Sequence, residues 1–324
     1  MESMTLTQLQ QASATVYRYM SPTPQYCWPQ LCEQVGTEVW LKHENHTPAG
    51  AFKVRGGMTY MHWLREARPE VSGIITATRG NHGQSQARAA AEAGISAKVV
   101  VPFGNSQEKN TAMRTFGAEL VEHGRDFDEA KAEAMRLASA EDRLLVPAFQ
   151  EQLVMGVASY ALELFSAVRD IDQVYVPVGC GSGICALIAA RDALGLSTEI
   201  IGVVSTEADG VKQSFEAGRL IETKTVATFA DGMAVRAPIP EAFEIYASGA
   251  ARIVAVTDDE VAEAMRILFA CTHNVAEGAG AAAFAAIAKN RDQLKGKKVA
   301  AILTGANVDT EIFAQVLSGS TPKV

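Results

Sequence analysis

A single lysine is the first residue in this chain whose setting suggests chemistry. It lies in Thr47-Pro48-Ala49-Gly50-Ala51-Phe52-Lys53-Val54-Arg55-Gly56-Gly57. Pro48 and Gly50 mark a loop. Val54 to about Arg65 reads as a helix, with an apolar stripe through Val54, Met58, Met61 and Trp63. Lys53 then stands near a helix N-terminus, whose positive potential disfavours the ammonium form. A partly buried lysine in that place is a better nucleophile and can form a Schiff base. The same residues also fit a solvated lysine at the start of a surface helix.

Three further stretches carry polar or glycine-rich turns directly after apolar runs: Thr78-Arg79-Gly80-Asn81-His82-Gly83-Gln84-Ser85, Gly179-Cys180-Gly181-Ser182-Gly183, and Thr304-Gly305-Ala306-Asn307. Asn81 offers a donor and an acceptor. In the loop from Gly179 to Gly183, converging backbone N–H groups ahead of a helix suit a phosphate, although glycines also serve plain turns. The loop lacks the spacing of a dinucleotide fingerprint and the lysine of a nucleotide-hydrolase phosphate loop, which points to a smaller phosphorylated cofactor. Thr304 ends an apolar strand, where its hydroxyl is either a neutral partner for a ring nitrogen or a cap.

The elements that would position these groups alternate along the chain. A helix is expected over 1–20 and a strand over 38–42. Strands at 73–77, 97–102, 119–121 and 144–147 alternate with helices at 85–93, 109–116 and 127–140, the pattern of a parallel sheet. Alternation continues with helices over 152–168, 184–194, 208–218 and 281–289 and strands over 173–178, 199–204, 252–256 and 298–303. Residues 219–240 read as loop, and Asn274 to Gly280 as a glycine-rich turn. Thr257 and Glu260 form a capping box at a further helix start. Residues 73–147 are expected as a small domain, and 1–70 plus 148–324 as a large one.

Composition narrows the function classes. The 324 residues are 48% hydrophobic and 20% charged, with a net charge of −8 and an isoelectric point of about 5.4. That is ordinary for two globular domains sharing a cleft, and the absence of a basic tract argues against a nucleic-acid partner. No signal peptide or membrane span is expected, since the longest apolar run, Val174 to Ala190, is broken by Pro177, Gly179, Gly181 and Gly183. Five cysteines without a C-x-x-C pair suit reduced thiols in the cytoplasm. His43 and His46 lie in a strand-to-loop stretch without further ligands, so no metal site is expected there.

Together, Ala51-Phe52-Lys53-Val54-Arg55-Gly56-Gly57, Arg79-Gly80-Asn81-His82-Gly83-Gln84, Gly179-Cys180-Gly181-Ser182-Gly183, Ala230-Asp231-Gly232 and Thr304-Gly305-Ala306-Asn307 resemble, in order and spacing, the fold-type II pyridoxal-phosphate enzymes of the serine/threonine dehydratase and serine racemase branch. The resemblance implies an α/β fold like that of the tryptophan synthase β subunit: two three-layer α/β/α domains with pyridoxal 5′-phosphate in the cleft between them. It implies that Lys53 holds the cofactor and removes the substrate α-proton, that Phe52 packs near the cofactor ring, and that Asn81 bonds the ring oxygen. It further implies that Gly80, Asn81, His82 and Gly83 face the substrate carboxylate, and that Gly179, Cys180, Gly181, Ser182 and Gly183 cradle the phosphate. Thr304 takes the place of the serine or cysteine facing the pyridine nitrogen. A neutral partner there makes the ring a weaker electron sink, which suits β-elimination better than transamination. The activity implied is an ammonia-lyase that eliminates water from a β-hydroxy amino acid to give a 2-oxo acid and ammonia, in a homodimer. Alternatives are a dehydratase for 3-hydroxyaspartate or 3-phenylserine, a racemase, a β-replacement synthase and a non-catalytic cofactor carrier.

Departures from the resembled pattern sharpen the expectation. Ala51 replaces a serine, and Cys180 and Ser182 interrupt a run of glycines. Arg79 stands where relatives carry Ser or Ala, and where the racemases keep the acid of the second cofactor face. Arginine is a poor proton donor, with a pKa above about 12, so efficient racemisation is not expected. Arg79 and Arg236 are instead candidate clamps for a substrate carboxylate, or members of internal ion pairs. Val204 and Gly210 occupy positions where some relatives place cation-binding acids, so no strong divalent-cation site is expected. The chain ends soon after Asn307, so feedback inhibition through a C-terminal regulatory domain is not expected.

Overall fold

The computed structural model describes residues 4–224 and 226–323. Within them the order is α1 (Leu6–Val16), β1 (Gln25–Cys27), α2 (Pro29–Val35), β2 (Glu38–His43), α3 (Lys53–Ala67), β3 (Gly73–Ala77), α4 (Asn81–Glu92), β4 (Ser96–Val101), α5 (Gln107–Thr115), β5 (Glu119–Glu122), α6 (Phe127–Ala140), β6 (Leu144–Leu145) and α7 (Glu151–Ala167). There follow β7 (Gln173–Pro177), α8 (Ser182–Ala193), β8 (Glu199–Ser205), α9 (Gly210–Ala217), α10 (Pro240–Gly249), β9 (Arg252–Val256), α11 (Asp258–Thr272), α12 (Gly278–Lys289), β10 (Lys298–Leu303) and α13 (Thr310–Leu317).

Two sheets result. The smaller runs β5-β4-β3-β6, all parallel, as the alternation over 73–147 predicts. The larger runs β1-β2-β10-β7-β8-β9. It is parallel except for the β1–β2 pair at its edge. Side chains alternate across each strand, so each sheet is covered on both faces. In β4, Val99 and Val101 pack with α3 and α4, while Val100 packs with Ala130 and Ala134 of α6. In β10, Val299, Ala301 and Leu303 pack against α11 and α12, while Ala300 and Ile302 face α7 and α8.

Local signals explain most boundaries. Capping boxes open α1 (Thr5 with Gln8) and α11 (Thr257 with Glu260), each contributing about 1 kcal/mol. Helix α2 starts with Pro29 at its first turn and stops at Gly36, with φ of 75°. Glycines decide the packing of α3. A Cβ on Gly56 would lie 2.6 Å from the Leu153 carbonyl of α7, one on Gly156 would lie 2.4 Å from the Arg55 carbonyl, and one on Gly57 would lie 2.9 Å from the Ser85 carbonyl of α4. The two glycines after Arg55 thus let α3 press against two helices at once.

Several boundaries differ from expectation. The first helix covers Leu6–Val16 rather than 1–20, and the first three positions of that expectation lie outside the described residues. Helix α4 starts at Asn81, not Ser85, because the Thr78 hydroxyl accepts from the N–H groups of Gly80 (3.0 Å) and Gly83 (3.3 Å) and so serves as its cap. Helix α8 starts at Ser182 rather than Ile184, and α12 at Gly278 rather than Ala281. In the stretch read as loop, a short turn of 3-10 helix covers Asp231–Met233; residue 225 lies outside the described residues.

Candidate active site

A cavity of about 670 Å³ lies between the two sheets, and the polar turns that follow β3, β7 and β10 all open into it. Lys53 is on its wall at the first position of α3, with Nζ 2.9 Å from the Ser182 hydroxyl and 5.0 Å from the centre of the Phe52 ring. Phe52 is held edge-to-face by the buried Tyr160, 6.1 Å between centres, and its backbone N–H donates to the Thr304 carbonyl at 3.0 Å. Burial lowers the Lys53 ammonium from its ordinary value, with Cys180 opposing the shift.

The turn after β7 is shaped to receive an anion. Gly181 has φ of 95°, and a Cβ on Gly179 would lie 2.3 Å from the Gly232 carbonyl. Opening α8 at Ser182 leaves the N–H groups of Ser182, Gly183 and Ile184 without an acceptor among the described residues. Those donors, with the helix dipole behind them, suit a phosphate. Across the cavity, Thr304 is buried at the end of β10 and its hydroxyl makes no hydrogen bond within the described residues.

At the start of α4, Gly80 and Gly83 give their N–H groups to Thr78, leaving those of Asn81 and His82 for a ligand. Of the four expected there, two backbone donors are spent on the fold. The Asn81 side chain is fixed from both ends: Nδ2 donates to Glu277 Oε1 at 2.6 Å, and Oδ1 accepts from Asn307 Nδ2 at 2.8 Å. One Nδ2 hydrogen remains for a ligand. Burial, then repulsion by Lys53, pushes the His82 imidazole down to about 3, so it is neutral.

Glu277, Lys109 and Asp231 form a second layer. Lys109 runs beneath Gly80, and its ammonium is 2.5 Å from Asp231 and 3.6 Å from Glu277. Burial raises the Glu277 carboxyl, with Lys109 opposing and Asp231 adding repulsion. Glu277 escaped the sequence reading, although an acid preceding the glycine-alanine run that opens α12 was a visible signal.

The two arginines singled out from sequence part ways. Arg236 lines the rim but pairs with Asp128 at 2.7 Å and Glu222 at 3.1 Å. Arg79 lines the cavity, half-buried, and has no hydrogen bond or ion pair with any described residue. Among the described residues, no cluster of His, Cys, Asp and Glu is placed to hold a metal ion.

A family model described as pyridoxal-phosphate dependent enzyme matches residues 16–305. The chain belongs to that family. It is 31% identical over 310 residues to the catabolic L-threonine dehydratase of Escherichia coli (strain K12), covering 95% of this chain and 93% of that one. It is 35% identical over 298 residues to the biosynthetic L-threonine dehydratase of Haemophilus influenzae, covering 91% of this chain but only 58% of that one. The chain thus spans little more than half the length of that biosynthetic relative. The processed form of threonine deaminase isoform 2 from Solanum lycopersicum shares the fold with a TM-score of 0.89 at 28% identity, covering 98% of this chain and 94% of that one.

The cofactor of the family fits what lines the cavity. The free N–H groups at the start of α8 match a phosphate. The depressed Lys53 amine matches an aldehyde, and the unpartnered Thr304 hydroxyl matches a ring nitrogen. Among the described residues, no helix is long and apolar enough to cross a membrane, and all five cysteines are free thiols.

Proposed function

We propose that this protein is an ammonia-lyase for β-hydroxy amino acids of the threonine or serine type, releasing a 2-oxo acid and ammonia. The observation that carries the reading is the partly buried Lys53, whose ammonium form burial disfavours, in one cavity with an anion cradle at α8 and the neutral hydroxyl of Thr304. The similarity to threonine dehydratases supports the same class.

Pyridoxal phosphate held at Lys53 would exchange that lysine's amine for the amino group of the substrate, which frees the Lys53 amine, and would then withdraw electrons from Cα and so acidify its proton. The residues of the chain supply the rest. The N–H groups of Ser182 and Gly183 would hold the phosphate, and Phe52 and Asn81 would orient the ring. The N–H groups of Asn81 and His82, at the positive end of α4, hold the α-carboxylate. The Lys53 amine accepts the α-proton, and the Ser182 hydroxyl at 2.9 Å keeps that amine aimed. The β-hydroxyl leaves with a proton as water. The enamine so formed takes a proton at its terminal carbon, and water then displaces ammonia to leave the 2-oxo acid.

Thr304 favours this outcome over transamination, because a hydroxyl does not hold a ring nitrogen protonated as a carboxylate does. Neutral His82 and permanently charged Arg79 offer no ready proton donor at neutral pH, which disfavours racemisation. The protein works as a homodimer, the commonest closed assembly, in the cytoplasm, a setting consistent with its free thiols.

The test is the holoenzyme with threonine and serine. It should show an absorbance band near about 410–420 nm from the lysine-bound cofactor and release ammonia and 2-oxo acid in equal amounts, both lost in Lys53→Ala. Light scattering should report twice the chain mass.

A further inference from the structure

We infer that Arg79 is a specificity residue, and that the substrate carries a second carboxylate on the carbon bearing the β-hydroxyl. The inference rests on the ammonia-lyase reading and concerns the same cavity.

The charges around the cavity isolate Arg79. Lys109 is paired with Asp231 and Glu277. Arg236 is paired with Asp128 and Glu222. Asp126 caps α6 by accepting from the Glu129 N–H at 2.9 Å. Lys53 is hydrogen-bonded to Ser182. Lys131, Lys224 and Glu241 are exposed at the mouth, where water can solvate them. Arg79 alone is a half-buried guanidinium in the cavity wall with no partner among the described residues. A charge withdrawn from water without a partner is costly, so its natural complement is an anion that arrives with the ligand.

The other anionic groups expected in the cavity already have places. A phosphate is met by the start of α8, with Lys131 close enough to act on Cys180. The α-carboxylate is met by the free N–H groups of Asn81 and His82. Arg79 precedes that cradle by two residues, so a carboxylate beyond the β-carbon is the group left for it. A guanidinium fork matches a carboxylate with two parallel hydrogen bonds, and 3-hydroxyaspartate is the β-hydroxy amino acid that presents one. Threonine and 3-phenylserine present an apolar group instead.

The experiment measures kcat/KM of the holoenzyme for threonine, serine, 3-phenylserine and the stereoisomers of 3-hydroxyaspartate, in wild type and in Arg79→Ala and Arg79→Gln; the second variant retains side-chain bulk should truncation disturb the fold. The wild type should prefer a 3-hydroxyaspartate. The ratio of its kcat/KM to that for threonine should fall at least about 30-fold in both variants, the loss expected when one partner of a buried charge pair is removed. Succinate should compete better than propionate in the wild type and lose that advantage in the variants, read from the cofactor absorbance. Equal losses on all substrates, or a weakened cofactor affinity with an unchanged ratio, would overturn the inference. If no β-hydroxy amino acid releases ammonia, the lyase reading fails, while an Arg79-dependent preference for succinate still supports the carboxylate clamp.

Discussion

Replacing Arg55 with methionine should destabilise the fold by about 3–5 kcal/mol, the range seen when one member of a buried ion pair is removed. Arg55 is fully buried two residues after Lys53. It holds Glu44 through Nε and Nη2 at 2.7 and 2.9 Å, and Glu163 through Nη1 and Nη2 at 2.6 and 3.0 Å. Ser159 and Thr23 complete its shell, and Lys42 supplies the second cation, 2.5 Å from Glu163. Two cations and two carboxylates balance, so the variant leaves one net negative charge inside the protein. Burial alone would raise Glu163; Arg55, then Lys42, outweigh it and hold that carboxyl below its ordinary range. In the wild type this contributes stability above the unfolded-state pKa, near 4.3, lost as pH falls through the lower folded value. In Arg55→Met the carboxylate left alone takes up a proton more readily, so the variant's deficit should shrink from pH 8 toward pH 5. Denaturant unfolding of the holoenzyme, followed by tryptophan fluorescence at both pH values, measures this. Arg55→Met/Glu44→Gln should recover part of the loss. A single variant within about 1 kcal/mol of wild type at both pH values would refute the reasoning.

Other expectations follow from the same geometry. Gly156→Ala places a methyl 2.4 Å from the Arg55 carbonyl and should cost about 1–3 kcal/mol by overpacking, read as a lower Tm. Ser182→Ala removes the hydroxyl beside Lys53 and should lower kcat/KM about tenfold, for a hydrogen bond worth roughly 1.4 kcal/mol. Glu277 has its folded-state pKa raised, chiefly by burial, so it disfavours folding once the unfolded carboxyl has ionised. The wild type should therefore lose stability relative to Glu277→Gln as pH rises from the ordinary carboxylate range toward neutrality. Chiral analysis of serine incubated with the holoenzyme should find dehydration outpacing racemisation, and the reverse would contradict the assignment of Arg79 and His82.

The parallel order of the small sheet and the α11 start were legible because both rest on local signals: apolar runs ending in glycine turns, and Thr257 with Glu260. The start of α4 was not, because its cap is Thr78, two residues before the N-cap position, and Asn81-His82-Gly83 are weak helix formers. The start of α12 was hidden for a related reason. Gly278 and Gly280 read as a turn, yet Gly280 lets the helix approach Gly305, with 2.3 Å between a Cβ there and that carbonyl. Helix α2 has visible signals in Pro29 and Gly36, and Pro240, read as part of the loop over 219–240, instead opens α10 at its first turn. Of the site, Lys53, Asn81, the loop from Gly179 to Gly183 and Thr304 stood out by type and spacing, and all line one cavity. Glu277 and the cluster of Lys42, Glu44, Arg55 and Glu163 did not, because only the fold brings them together.

The central claim is that Lys53 serves elimination from a β-hydroxy amino acid. It is tested most directly by following ammonia and 2-oxo acid release by the holoenzyme across threonine, serine, 3-hydroxyaspartate and 3-phenylserine. The account predicts equal release of both products from at least one of them, and none from Lys53→Ala. A holoenzyme that shows the lysine-bound cofactor band but releases neither product from any of the four would contradict it.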